Sequence, residues 1–219
     1  MDNGAHFYNC DFQVHTPRDP QWSGERAITE AEREAYAEEF LNACREAGLD
    51  AVAITDHHDT VIAEYICRAA RNETDENGDP LPEDERIHVF PGMELSLGIP
   101  CQALLLFDAN IDLDSLDDLL STARNVLGIE QAHPENHQGQ QPEQLDQFST
   151  LTELYNTLNG HPQLEGQFVV LPNVTDNGHQ TILRSGLTAK YVNMPCVGGY
   201  IDGSIEEEMG AGALNKVKG

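Results

Sequence analysis

The sequence predicts an α/β protein built on a largely parallel sheet or barrel, and three observations predict it. Short apolar runs of strand length alternate with segments whose apolar residues recur at helical spacing. No internal repeat or heptad interrupts that alternation. Three of the apolar runs end in His, Asp or Glu, and active sites of parallel α/β sheets lie at the carboxyl ends of strands. Pattern alone does not separate a doubly wound sheet from a barrel.

The elements follow in order. A first strand spans Phe7 to His15. Thr29-Glu30-Ala31-Glu32 is a capping box, so a helix starts there, with an apolar stripe of Ala35, Tyr36, Phe40, Cys44 and Ala47 and a terminating Gly48. Leu49 to Thr55 reads as a buried strand and Val61 to Arg71 as a helix. Residues 72–86 form an acidic loop, too polar to pack. Strands follow at Ile87 to Pro91 and Gln102 to Phe107, then a helix capped by Asp114, with Leu116, Leu119, Leu120, Ala123 and Leu127 on one face and Gly128 at its end. Residues 131–147 lack apolar periodicity and read as a surface excursion. A helix near Thr150 to Leu158 and a strand from Gln167 to Leu171 complete the readable elements.

Composition narrows the function. The 219 residues hold 12 basic and 38 acidic side chains, a net charge of −26. Such a surface repels polyanions at long range and argues against a free-standing, non-specific nucleic-acid binder. With lysine only at 190, 216 and 218, a basic patch of the nuclear-localisation or heparin type is excluded. The first ten residues lack a basic and an apolar region, and no apolar run approaches a membrane span, so no secretory leader and no membrane association are expected. Five widely spaced cysteines without a C-x-x-C suit a reduced cytoplasm, each as a small buried hydrophobe.

The chemistry concentrates at three run ends. Alternation along the first strand places Asp11, Gln13 and His15 on one face and Phe12 and Val14 on the other. The second run ends Thr55-Asp56-His57-His58-Asp59, and the third ends Pro91-Gly92-Met93-Glu94. Imidazole and carboxylate without a thiolate pair is the donor set of borderline divalent metals. Each fragment alone has a plainer reading: a hydrogen-bonded structural histidine, a solvated Glu94, or Asp56 as the cap of the next helix. Arg18 is placed either to take a substrate phosphate or to form a surface ion pair. His179, in Asp176-Asn177-Gly178-His179, reads as a turn histidine, and Gly198-Gly199 is not a phosphate loop because G-x-x-x-x-G-K-[ST] is absent.

Together these clusters resemble a known family. Asp11-Phe12-Gln13-Val14-His15-Thr16-Pro17 resembles the D-L-H-x-H-T opening of the PHP (polymerase and histidinol phosphatase) domain, Ala53-Ile54-Thr55-Asp56-His57 its second motif, and Gly92-Met93-Glu94 its third. The fuller runs DFQVHTPRDPQW and MPCVGGYIDG are similar to the N-terminal PHP domain of TrlF-type AAA-like ATPases. The resemblance implies one domain over 1–219, a distorted (β/α)7 TIM-like barrel with metal at its rim, and hydrolysis of phosphate esters. It implies a divalent metal (Mn, Zn or Mg) on Gln13, His15, His57 and Glu94, with Asp56, His57 and Arg18 in catalytic roles. It further implies a nuclease module working with an AAA/SMC-like ATPase partner in defence against foreign nucleic acid. The chain departs from the family where Gln13, Gln102 and Asn173 stand in place of histidines, and the final Asp-x-His is missing. Those departures predict at most one tightly held metal, a barrel left incomplete within these 219 residues, and, as the alternative function, a degenerate domain that scaffolds its ATPase. A metal-dependent amidohydrolase is the third reading, with few lysines to supply its usual carboxylated one.

Overall fold

The structure is a computed structural model, and it describes residues 8–98, 101–175, 181–182 and 197–201. His179, Cys196 and half of MPCVGGYIDG (194–196 and 202–203) lie outside the described residues. The elements are β1 (Cys10–Val14), α1 (Glu30–Glu46), β2 (Ala51–Ile54), α2 (Val61–Arg71), β3 (His88–Leu97), β4 (Cys101–Phe107), α3 (Leu113–Leu127), α4 (Leu151–Asn159) and β5 (Phe168–Pro172).

Local chemistry explains most boundaries. Thr29 and Thr150 cap α1 and α4 through complete capping boxes with Glu32 and Glu153. Gly48 and Gly128 follow α1 and α3 at φ +69° and +71°, where a side chain would be strained. Asp112, rather than Asp114, occupies the N-cap position of α3. The buried residues of α1 are Arg33, Ala37, Leu41 and Cys44; of the expected stripe Cys44 is among them, while Tyr36 and Phe40 pack partly buried at its edge, and Arg33 turns inward to the carbonyls of Ala27 and Pro134.

The five strands form one sheet in the order β1-β2-β3-β4-β5. The first three are parallel, whereas β4 pairs antiparallel to both β3 and β5. Among the described residues the sheet is open, with β1 and β5 as its edges, so a closed barrel is not shown. The expectation of a largely parallel sheet is corrected, because the sheet is mixed. The cause is the link between Leu97 and Cys101, which is too short for a parallel crossover and so makes a hairpin. That hairpin also carries β3 well beyond Pro91.

Strand alternation divides the core between two faces. Val89, Met93, Leu95 and Leu97 of β3 and Cys101, Ala103, Leu105 and Phe107 of β4 pack with the helices into the main core. The other face holds a smaller cluster of Ala53, Leu104, Leu106 and Tyr200, flanked by Phe12, Phe90 and Leu171. By the same alternation Glu94 and Gln102 belong to this second face. A register shift between Asp11 and Val14 adds one residue to β1, so strict alternation fails there. Phe12 packs on Phe90 and Gln13 still reaches Glu94 on the same side. Among the described residues no helix is long and apolar enough to cross a membrane. Cys44, Cys67 and Cys101 are buried, but Cys10 is exposed, contrary to expectation.

Candidate metal centre

Parallel β1 and β2 end side by side, and the loops that leave them are tied together at once. Thr55 donates its N–H to the Val14 carbonyl at 2.8 Å. Asp56, fully buried, accepts from the N–H and the hydroxyl of Thr16, both at 2.6 Å. Because β3 outruns β2, its backbone continues along the second loop: Glu94 N–H donates to the Asp56 carbonyl (3.1 Å) and His58 N–H to the Glu94 carbonyl (3.2 Å). Glu94 is therefore a mid-strand residue beside a loop, not the strand end the sequence predicts, and it is wholly buried.

These backbones bring His15, His57 and Glu94 together. Glu94 Oε2 lies 3.4 Å from His15 Nε2 and 3.7 Å from His57 Nε2. Gln13 donates its amide Nε2–H to the same oxygen at 3.2 Å. The two imidazoles stack, with centroids 4.8 Å apart and planes within 3°. Only His15 opens toward solvent, with 30% of its side chain accessible against 8% for His57.

Asp19 organises the pair. Its Oδ2 sits 2.7 Å from His57 Nδ1 and 3.2 Å from His15 Nδ1, the latter an ion-pair contact off hydrogen-bond geometry. Donation of Nδ1–H to Asp19 leaves the His57 Nε2 lone pair facing Glu94, the tautomer a metal ligand needs. Burial opposes a charge on His15, but Asp19 and Glu94 outweigh it and push the imidazole up to about 10. Despite its own burial, Asp19 is held well below the usual carboxylate range by the two histidines. The cluster thus favours positive charge at its centre.

The donor set passes the test for a divalent ion. Two ligand atoms at Zn–N distances and a tetrahedral angle are about 3.4 Å apart, close to the spacings around Glu94 Oε2. The ligand atoms of His15, His57 and Glu94 lie within 4.8 Å of one another, as do those of a second set, His15, Asp19 and Asp56.

The remaining residues sort clearly. Burial pushes Asp56 up to about 7, with nearby Asp59 and Asp19 adding to the effect against the Thr16 hydrogen bonds. Both its oxygens hold the Thr16 loop, so it does not cap α2; Thr60 occupies the N-cap position, and Asp59 accepts from Val61 N–H at 2.9 Å. His58, at φ +53°, accepts from Ser96 N–H, and burial beside His57 pushes it down to about 4, so it is a neutral brace.

Arg18 meets neither expectation. It is 1% exposed, donates from Nε and Nη2 to Asp59 at 3.3 and 2.8 Å, and donates to the Asn136 and Ala132 carbonyls at 2.7 and 3.2 Å. With four N–H donors so engaged, it is neither a phosphate cation nor a surface ion pair. Most of 131–147 is exposed and irregular, as expected for a surface excursion, with Ala132, Gly139 and Leu145 turned inward. That segment packs on Arg18, and a Cβ on Gly139 would lie 2.8 Å from Asp59 Oδ2.

Gln102 lies beside the centre, its Nε2 3.4 Å from His57 Nε2. Asn173 pairs with it by backbone, is 1% exposed, and has its Nδ2 buried without a partner. Sequence reasoning missed Asp19 and Tyr200, whose hydroxyl donates to Glu94 Oε1 at 3.4 Å. The one available signal for Asp19 was a carboxylate four residues after His15.

No protein-family model and no curated protein matches the chain. Among solved structures it is similar to endonuclease Q from Pyrococcus furiosus, a lesion-specific endonuclease, at 12% identity and a TM-score of 0.45 over 86% of this chain. It is similar to endonuclease Q in complex with a 27-mer duplex carrying an abasic lesion, at 12% identity and a TM-score of 0.46 over 86% of this chain. A protein assigned as a metal-dependent phosphoesterase, from Bifidobacterium adolescentis, matches at 12% identity and a TM-score of 0.46, covering 96% of this chain and 82% of its own. The chain spans 40% and 41% of the two endonuclease Q chains.

Proposed function

We propose that this chain is a divalent-metal-dependent phosphoesterase domain of the PHP type whose ion is held by His15, His57 and Glu94. The observation that carries the reading is one buried carboxylate oxygen facing two imidazole Nε2 atoms, both imidazoles backed by Asp19. When bound, a divalent ion there supplies a water of lowered pKa and polarises a phosphoryl oxygen. Asp19 fixes the His57 tautomer, and Asp56 keeps the two loops in register through Thr16. Gln13 sits at the edge of the set and becomes a neutral oxygen donor if its amide turns over. His15 is the open member, with 30% of its side chain accessible, so a phosphate ester would reach the ion from that side. Its resemblance-based refinement is a nuclease module, with Mn, Zn or Mg, coupled to an AAA/SMC-like ATPase in defence against foreign nucleic acid.

A second reading, a degenerate domain that scaffolds its ATPase, is favoured by the amides of Gln13, Gln102 and Asn173 where the family resemblance places histidines. Metal analysis followed by hydrolysis assays separates the two. The expected content after dialysis without chelator is about one equivalent of metal, because neutral amides hold a second ion poorly. Phosphomonoester, single-strand and duplex substrates are then assayed with Mn, Zn and Mg, using the protein together with its ATPase. Glu94→Gln keeps the side-chain size but removes the ligand charge, and should lower turnover at least ~10²-fold. Hydrolysis unchanged in Glu94→Gln would place the activity elsewhere. Stable folding with neither metal nor hydrolysis would favour the scaffold.

A further inference from the structure

We propose that Tyr200 is a positioning residue for Glu94, holding the Oε1 edge of the carboxylate so that Oε2 is the atom presented to His15 and His57. The inference rests on the metal-centre reading above. Glu94 lies on a mostly apolar sheet face, where a carboxylate oxygen without a donor is costly. Oε2 is faced by Gln13, His15 and His57, and Oε1 accepts from the Tyr200 hydroxyl at 3.4 Å. Tyr200 is 9% exposed and packs with Ala53, Leu104 and Leu106 beneath the centre.

The backbone that delivers it is specific. Tyr200 N–H donates to the Pro172 carbonyl at 3.0 Å, and Val174 N–H donates to the Tyr200 carbonyl at 2.8 Å. The segment around Tyr200 therefore docks in parallel along the end of β5, bridging Asn173. Gly199 makes this approach possible: a Cβ there would lie 2.5 Å from Val174 Cγ1 and 2.9 Å from the Pro172 carbonyl oxygen. Thus Gly199, in a Gly198-Gly199 pair that fits no phosphate loop, has a steric role one residue before the phenol. Groups that hydrogen-bond a ligand from outside the coordination sphere fix its orientation and commonly alter metal affinity 10–100-fold. With Tyr200 in place, Glu94 offers a single oxygen; without it, the carboxylate can turn.

The test measures metal binding without any assay of activity. Zinc affinity is measured by competition with a chromogenic chelator, and the visible absorption of the Co(II) form reports ligand geometry. Tyr200→Phe keeps the ring packing and should weaken zinc about tenfold while shifting the Co(II) band. Gly199→Ala, which displaces an intact phenol, should weaken zinc at least as much. A loss smaller than about threefold in Tyr200→Phe, with an unchanged Co(II) spectrum, would overturn the proposal and leave Tyr200 as packing only. If Tyr200→Phe melts below the assay temperature, Gly199→Ala is judged by the same threshold. Wild-type protein that takes up no metal overturns the metal centre and this inference together, whereas intact wild-type binding with unaffected variants overturns this inference alone.

Discussion

Two buried polar networks grow from the same pair of loops, and they differ in how completely they satisfy themselves. Residues 15–19 and 56–59 send His15, Asp19 and His57 to one side and Arg18 and Asp59 to the other. In the second network the Arg18 guanidinium meets the Asp59 carboxylate through two hydrogen bonds, and neighbouring carbonyls and Gln131 take up the remaining capacity. The first network sets the carboxylates of Asp19 and Glu94 around two imidazoles, and together they favour positive charge on His15. A closed network holds loops together. One with surplus carboxylate seeks a cation, and that difference marks which of two adjacent polar clusters performs chemistry.

The largest effect should come from breaking the closed network. Removing one partner of a buried ion pair leaves an uncompensated charge, so Arg18→Met should cost about 3–5 kcal/mol of folding stability. Denaturant titration measures it. A loss below about 1 kcal/mol would equate Arg18–Asp59 with a surface pair and erase the contrast.

The next effect belongs to the open network. Asp19→Asn keeps the shape but removes the charge that orients both imidazoles, so zinc affinity should fall about 10–100-fold with the fold retained. Titration of the folded variant decides it. Unchanged affinity would show that stacking alone sets the two rings, and Asp19 would then belong with the loop-holding groups.

How much of this was legible in the sequence depended on the range of the interaction involved. Both capping boxes, the bounds of α2, and the terminal glycines of α1 and α3 were readable because helix ends are set within a few residues. His15, His57 and Glu94 could be singled out because each carries ligand chemistry beside an apolar run. The β3–β4 hairpin was not readable, since the residues from Gly92 to Leu97 are equally consistent with a strand end. The extra residue in β1 was hidden for a related reason: register is a property of two strands, and the sequence shows one at a time. Arg18 was misjudged because its carbonyl acceptor at Asn136 is 118 residues away, in a segment without periodicity. Tyr200 was invisible as a site residue because its link to Glu94 spans 106 positions.

The smallest expected effect probes that extra residue directly. If β1 alternated strictly, residue 13 and Phe12 would face opposite sides of the sheet. The register shift instead lets Phe12 pack on Phe90 while Gln13 reaches within 3.2 Å of Glu94 Oε2. An imidazole is a stronger ligand than a neutral amide for borderline divalent ions, so Gln13→His should tighten zinc about three- to tenfold. The gain is modest because the substitution adds one donor to a set already anchored by a carboxylate and two histidines. It should also appear as a changed Co(II) spectrum, since a nitrogen would join the coordination sphere. Tighter binding would show that the position lies within ligand reach and that the amide is a weakened ligand site. Unchanged affinity with an unchanged spectrum would place residue 13 outside the coordination sphere, leaving Gln13 as a hydrogen-bond donor to Glu94 and nothing more.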